Sequence, residues 1–209
     1  MKAPKKRIAV LCSGGGSNFQ AIIDACKSGR INGDIALMIS SSEKAYAIDR
    51  AEQNGIPVNV ITKKSCGSLE SAYEKRHEAL VQCAPDLVIL AGYLGIILPK
   101  TVEAFKGRII NVHPSLLPRH GGKGMHGGNV HRSVLQSGDL ESGATVHFVD
   151  AGIDSGDIIL QKSVPVLPGD DENSLAARVL EVEHEILPEA AALICAEKLP
   201  AKGGAKFLP

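Results

Sequence analysis

The sequence predicts an α/β protein: a Rossmann-like, mostly parallel sheet with helices on both faces and an antiparallel C-terminal extension. Three observations carry this. Short, nearly continuous apolar runs recur up to residue 112, amphipathic stretches separate them, and beyond about residue 140 two β-like runs are joined by a loop rich in Gly and Asp. Strand then helix, repeated, gives parallel strands covered on both faces, whereas two runs joined by a short loop give an antiparallel pair.

The expected strands are 8–11, 35–39, 58–61, 87–90, 109–112, 145–148 and 158–166. The first helix begins near Ser17, where Ile22, Ile23 and Cys26 share one face, and 46–53, 70–82 and 101–105 are further helices. The last helix starts near Asn173 or Ser174, both N-cap types. It carries Leu175, Val179, Val182, Ile186, Ala190 and Leu193 at helical spacing, with Pro188 marking a kink. At 209 residues and 44% hydrophobic content the chain fills one core, so a single domain is expected over 1–200, and 201–209 reads as a loose tail.

Charge narrows the partners. Twenty-three Lys and Arg balance twenty-three Asp and Glu, so no global basic field exists for nucleic acid or an anionic membrane. Aromatic residues are 3% of the chain, with no Trp, which leaves few platforms for stacking bases or anchoring a large interface. Small-molecule substrates fit better, on a monomer or homodimer. The five cysteines are scattered and never form a CxxC pair, so they read as reduced thiols. The basic start is followed by an apolar stretch, 8–12, too short for a signal-peptide core or a membrane span, and a cytoplasmic protein is expected.

Two segments carry chemistry. Ile8-Ala-Val-Leu-Cys-Ser-Gly-Gly-Gly-Ser-Asn-Phe-Gln20 is a buried strand, a glycine turn and a helix start, the arrangement that aims backbone N–H groups and the positive end of a helix dipole at an anion. The loop lacks the GK[ST] of a P-loop, and Phe19 occupies the third glycine position of GxGxxG, so nucleotide hydrolysis and dinucleotide binding lose ground. A plain glycine turn with no ligand is the competing reading. The second segment runs from Ile109-Ile110 into Asn111-Val-His-Pro-Ser-Leu-Leu-Pro118. Asn111 and His113, two apart on an extended strand, project to one side, where a carboxamide and an imidazole can grip one oxygen. A lone histidine at a strand end is more often structural; the asparagine and the two prolines shift the reading toward function.

Asp154, in the late Gly-rich loop, is by itself an ordinary solvated turn residue. Beside His113 it would favour the imidazolium and orient it for acid/base work in acyl transfer. His113, His120, His126 and His131 together raise a metal reading, but their spacings match no usual zinc pattern, 121–128 reads as a mobile loop, and no metal is expected.

Three blocks jointly resemble the folate-dependent formyltransferase family, in its phosphoribosylglycinamide formyltransferase branch. They are Cys12-Ser-Gly-Gly-Gly-Ser-Asn-Phe-Gln20, Ile110-Asn-Val-His-Pro-Ser-Leu-Leu-Pro118, and Gly143-Ala-Thr-Val-His-Phe-Val149 leading into Gly152-Ile-Asp-Ser-Gly-Asp-Ile-Ile-Leu-Gln161. The resemblance spans about residues 7–195 and implies formyl transfer from the co-substrate 10-formyltetrahydrofolate to the amine of glycinamide ribonucleotide in purine biosynthesis. It implies a phosphate-binding half to about residue 100 and a folate and catalytic half from 101 to 200. It also implies that Gly16, Ser17 and Asn18 hold the 5′-phosphate, Glu183 the ribose hydroxyls, and Leu94, Gly95, Ile96, Ile97 and Asn111 the folate, with 150–154 closing over the pterin. Asn111 and protonated His113 would stabilise the oxyanion, and Asp154, through a water, would move the proton.

Some positions depart from the family. Gly15 stands where many members have Asn, and Gly95 where many have Arg. Leu69 and Glu70 stand in a region where an Arg often meets the folate glutamate tail, for which Lys63, Lys64 or Arg76 is the substitute on offer. The loop 119–131 is longer than in the shortest members. Rival readings are a 10-formyltetrahydrofolate hydrolase, expected to carry an N-terminal regulatory domain for which the few residues before the first strand leave no room, and a non-catalytic nucleotide-binding module of the same fold.

Overall fold

In the computed structural model, which describes residues 4–198 and the strand Lys206–Phe207, apolar runs and helices alternate along most of the chain. The order is β1 (Lys6–Cys12), α1 (Ser17–Lys27), β2 (Gly33–Ser40), α2 (Ala47–Gln53), β3 (Val58–Val60), α3 (Lys63–Cys66), α4 (Leu69–Cys83), β4 (Leu87–Leu90) and α5 (Pro99–Ala104). It continues with β5 (Ile109–His113), α6 (Gly128–Gln136), β6 (Glu141–Phe148), β7 (Ile158–Pro165), α7 (Glu172–Cys195) and β8 (Lys206–Phe207). The strands form one sheet in the order β3-β2-β1-β4-β5-β6-β7-β8. Pairing is parallel from β3 to β5 and antiparallel for β5–β6 and β6–β7, as the sequence pattern predicts.

Strand periodicity explains why the central runs are apolar throughout. Ile8, Val10 and Cys12 of β1 and Leu87 and Ile89 of β4 enter the core shared with α1 and α7. Ala9, Leu11, Val88 and Leu90 enter a second core, with Leu80 of α4 and Phe105 beyond α5. Both faces are covered, so no alternation with polar residues survives.

Three sequence expectations change. The segment read as loop over 119–131 ends in α6, which takes His131 into its buried face. The short helix α3 went unforeseen; Thr62 and Ser65 close it with a capping box. α7 starts earlier than expected because Asp171 is the N-cap, its carboxylate accepting from the N–H groups of Asn173 and Ser174 while Ser174 Oγ accepts from Asp171 N–H. Pro188 lies within α7, which runs through it as one element. The tail expected over 201–209 lies outside the described residues apart from Lys206–Phe207, which pairs with β7.

Candidate active site

β1 is flanked by β2 on one side and β4 on the other, so successive connections leave it in opposite directions. Loops at the carboxyl ends of such strands diverge and open a crevice. Ser13 links two of them: its N–H donates to Gly92 O (3.2 Å) and its hydroxyl accepts from Leu94 N–H (2.8 Å). Beside the loop after β4 lies a cavity of about 620 Å³, within the range of small-molecule sites. Leu94, Gly95, Ile96 and Ile97 after β4, Asn111 and His113 of β5, 150–154 and Glu183 all line it.

Asn111 and His113, two apart on β5, come together with Asp154 from a distant loop. His113 Nδ1 is 3.5 Å from Asp154 Oδ2, and Asp154 Oδ1 is 3.7 Å from His147 Nε2. Asn111 Nδ2 lies 3.2 Å from the same His147 nitrogen. The β5–β6 register sets Asn111 opposite His147 and His113 opposite Thr145. His147 Nδ1–H donates to Phe148 O (2.8 Å), which leaves Nε2 to accept one Asn111 amide hydrogen. The turn after His113 is fixed from below. Thr145 Oγ1 donates to Ser115 O (2.6 Å) and accepts from Leu117 N–H (3.1 Å), and Gln161 Nε2 donates to Leu117 O (3.0 Å).

Asp154 sits in the left-handed region at φ +53°, a conformation Asp tolerates better than most residues, and its Oδ2 accepts Gly122 N–H at 3.0 Å. Burial resists its ionisation, but the contact with His147, the charge of His113 and the Gly122 N–H together hold the carboxyl below its ordinary value. His113 behaves otherwise than expected. Its side chain is 5% exposed, and this burial, helped by His147 and His120, outweighs Asp154 and the His120 carbonyl and pushes its pKa below the ordinary 6.5. The resting imidazole is therefore neutral at neutral pH, which corrects the expectation of a standing imidazolium.

The glycine loop is built by its backbone. Gly16 is the N-cap of α1 at φ +71°, and a Cβ there would lie 2.8 Å from Ala47 Cβ. Ala47 N–H donates to Gly14 O (3.2 Å) and Arg50 Nε to Gly15 O (2.9 Å), so α2 fixes the loop. No side chain caps α1. Ser17 opens α1, and Asn18 follows in its first turn; the Asn18 side chain turns inward and donates through Nδ2 to Glu183 Oε2 on α7, while Asn18 Oδ1 is buried without a partner. Of the three residues expected at the phosphate, Asn18 therefore offers its backbone. Glu183 is 8% exposed, and burial, partly offset by Asn18, lifts its pKa to about 7.

Arg76 is not free for a folate tail. Its guanidinium is buried, donates to Ile61 O (2.6 and 3.1 Å) and Tyr93 OH (2.9 Å), and lies over the rings of Tyr73 and Tyr93. Lys64 pairs with Glu43 (3.3 Å). Among the described residues, the one Lys or Arg lining the cavity is Lys123. His147 and His131 went unassigned by sequence reasoning; His131 is buried in the cavity wall with Nδ1 unpartnered, and burial lowers its pKa. The signal for His147 was its place opposite Asn111, which needs the strand register. Among the described residues no group of three or more His, Cys, Asp or Glu side chains is arranged to hold a metal ion, and no helix is long and apolar enough to cross a membrane.

Comparison with known proteins adds four findings. The model of the formyl transferase family matches residues 6–191. The chain is 41% identical over 212 residues to the phosphoribosylglycinamide formyltransferase of Escherichia coli, covering 94% of this chain and 97% of that protein. It is 43% identical over 192 residues to the trifunctional purine biosynthetic protein adenosine-3 of Drosophila melanogaster, covering 91% of this chain and 14% of that protein. Among solved structures, glycinamide ribonucleotide transformylase 1 from Symbiobacterium toebii superposes with a TM-score of 0.89 at 40% identity, covering 97% of this chain and 93% of that one.

Proposed function

Because the chain belongs to the formyl transferase family, we infer that it is an enzyme transferring a formyl group to the amine of glycinamide ribonucleotide in purine biosynthesis. The donor is 10-formyltetrahydrofolate. The observation that carries the mechanism is the run of contacts His113–Asp154–His147–Asn111 along one cavity wall.

The ribonucleotide amine attacks the formyl carbon, a C–N bond forms, and the C=O electron pair moves onto oxygen. Donors placed at that oxygen stabilise the transition state more than the ground state. Asn111 Nδ2 carries two hydrogens; His147 takes one, orienting the amide, and the other serves the formyl oxygen. The proton shed by the amine goes to the Asp154–His113 pair, so His113 gains its positive charge as the oxyanion develops. The same proton passes to the folate N10 as the C–N10 bond breaks. One proton moves from amine to N10, and no covalent enzyme intermediate forms.

Substrates are held on either side of this cluster. The 5′-phosphate sits on the backbone of 14–18 at the uncapped start of α1, and Glu183 accepts from the ribose hydroxyls. Leu94, Gly95, Ile96 and Ile97 receive the pterin beneath 150–154, and Lys123 is the cation available to the donor's carboxylates. The test is turnover of 10-formyltetrahydrofolate with and without glycinamide ribonucleotide. Tetrahydrofolate release that requires the ribonucleotide supports transfer; equal release in its absence makes water the acceptor and overturns it.

A further inference from the structure

His113 rests on a backbone atom whose own position is controlled by a polar cluster outside the cavity. Its Nε2 lies 2.9 Å from the carbonyl oxygen of His120. A carbonyl only accepts, so Nε2 carries the hydrogen and Nδ1 is left facing the carboxylate of Asp154. His120 has a left-handed backbone, φ +54°, which a non-glycine residue adopts at a cost. Its side chain is held at both ring nitrogens: Nδ1 is 2.8 Å from Ser133 Oγ on α6, and Nε2 is 2.8 Å from Asp139 Oδ2. Asp139 also accepts from Arg119 and is itself largely buried. Ser115 Oγ fixes the preceding carbonyl, donating to Arg119 O at 2.7 Å.

We propose that His120 is a positioning residue for formyl transfer: the Ser133–His120–Asp139 clamp sets the backbone carbonyl that holds His113 as its Nε2–H tautomer. Nδ1 is then the atom that gains and loses the proton, opposite Asp154. The clamp touches neither substrate in this reading, which rests on the transfer mechanism above. Loss of the clamp lets His113 take the opposite tautomer, with Nδ1–H donated to Asp154 and no lone pair there to accept the amine proton. The wrong tautomer is an established way to lose acid/base catalysis with substrate contacts intact.

The experiment uses the full chain labelled with nitrogen-15 in histidine. NMR at neutral pH reads the His113 tautomer, and steady-state kinetics are measured in parallel. His120→Asn keeps a residue type that accepts the left-handed backbone but cannot span Ser133 and Asp139. It is expected to populate the Nδ1–H tautomer and to lower kcat about tenfold or more, with both KM values within about twofold. Asp139→Ala should follow it. Asp139→Asn keeps an oxygen for His120 Nε2–H and should restore kcat to within about threefold of the parent. Ser133→Ala, which removes one contact by a small truncation, should give an intermediate tautomer ratio even if Asp139→Ala does not fold. An unchanged Nε2–H tautomer in His120→Asn and Ser133→Ala overturns the proposal, as does a loss appearing only in KM. The tautomer readout needs no turnover, so its failure is distinct from failure of the transfer reading.

Discussion

In the proposed mechanism the glycine loop and the catalytic cluster solve opposite problems. At the loop the proposal leaves recognition to the backbone: α1 follows its N-cap Gly16 with no side-chain cap, as do α2, α5 and α6, whereas α4 is capped by Ser68 and α7 by Asp171. At the cluster every group is already held by protein. Asn111 bonds His147, His147 bonds Phe148 O, His113 bonds the His120 carbonyl, and Asp154 accepts Gly122 N–H. An anion that must bind and leave is met by N–H donors at a helix start, whereas a developing charge is met by dipoles fixed before the reaction. Substitutions at the cluster should therefore fall on kcat, and those at the loop on KM for the ribonucleotide.

The largest effects belong to the cluster. His113→Ala and Asp154→Asn should each lower kcat more than about a hundredfold while the ribonucleotide KM stays within about threefold; near-normal turnover in both erases the contrast. Gly16→Ala forces a left-handed alanine against Ala47. It should raise the ribonucleotide KM about tenfold, for a strain of roughly 1–2 kcal/mol, and leave kcat at saturation almost unchanged. Asn18→Ala should raise that KM by a smaller factor, about threefold, because its side chain acts through Glu183. An unchanged KM in both loop variants separates the loop from the phosphate.

The smallest effect is on stability and sharpens the boundary between the two regions. Burial lifts Glu183 from 4.5 to about 7 in the folded chain, so the folded state binds its proton more tightly than the unfolded state. Stability from this group is thus highest below pH 4.5, falls as pH rises toward 7 and stays low above that. Glu183→Gln removes the ionisation and keeps an oxygen for Asn18. Its melting temperature should match the parent near pH 4 and exceed it by about 3 °C or more at pH 8; a constant difference across that range contradicts a buried, ionising Glu183.

What the sequence reveals follows the same division. The glycine loop is legible because strand, turn and helix start are contiguous, and the apolar runs of β1 and β4 mark a sheet covered on both faces. Asn111 and His113 are legible as neighbours on one strand, whereas Asp154 by itself reads as a turn residue, and its pairing with His113 gained its weight from the family resemblance. His147 was not legible, since it depends on the β5–β6 register. The Ser133–His120–Asp139 clamp needs α6, hidden in a stretch whose glycines read as loop. Arg76 stood as one cation on offer to a folate tail, and only the folded chain shows two tyrosine rings and the Ile61 carbonyl enclosing it. The neutral His113 was equally out of reach: proximity to Asp154 argues for charge, and the burial that outweighs it is a property of the packed molecule.

Whether His113 and Asp154 work as one unit is decided by kcat of the double variant His113→Ala/Asp154→Asn beside the two single variants. Groups that share one proton should show a double variant within about threefold of the worse single. Losses that multiply in full would mean two independent groups and would contradict a shared proton at Nδ1.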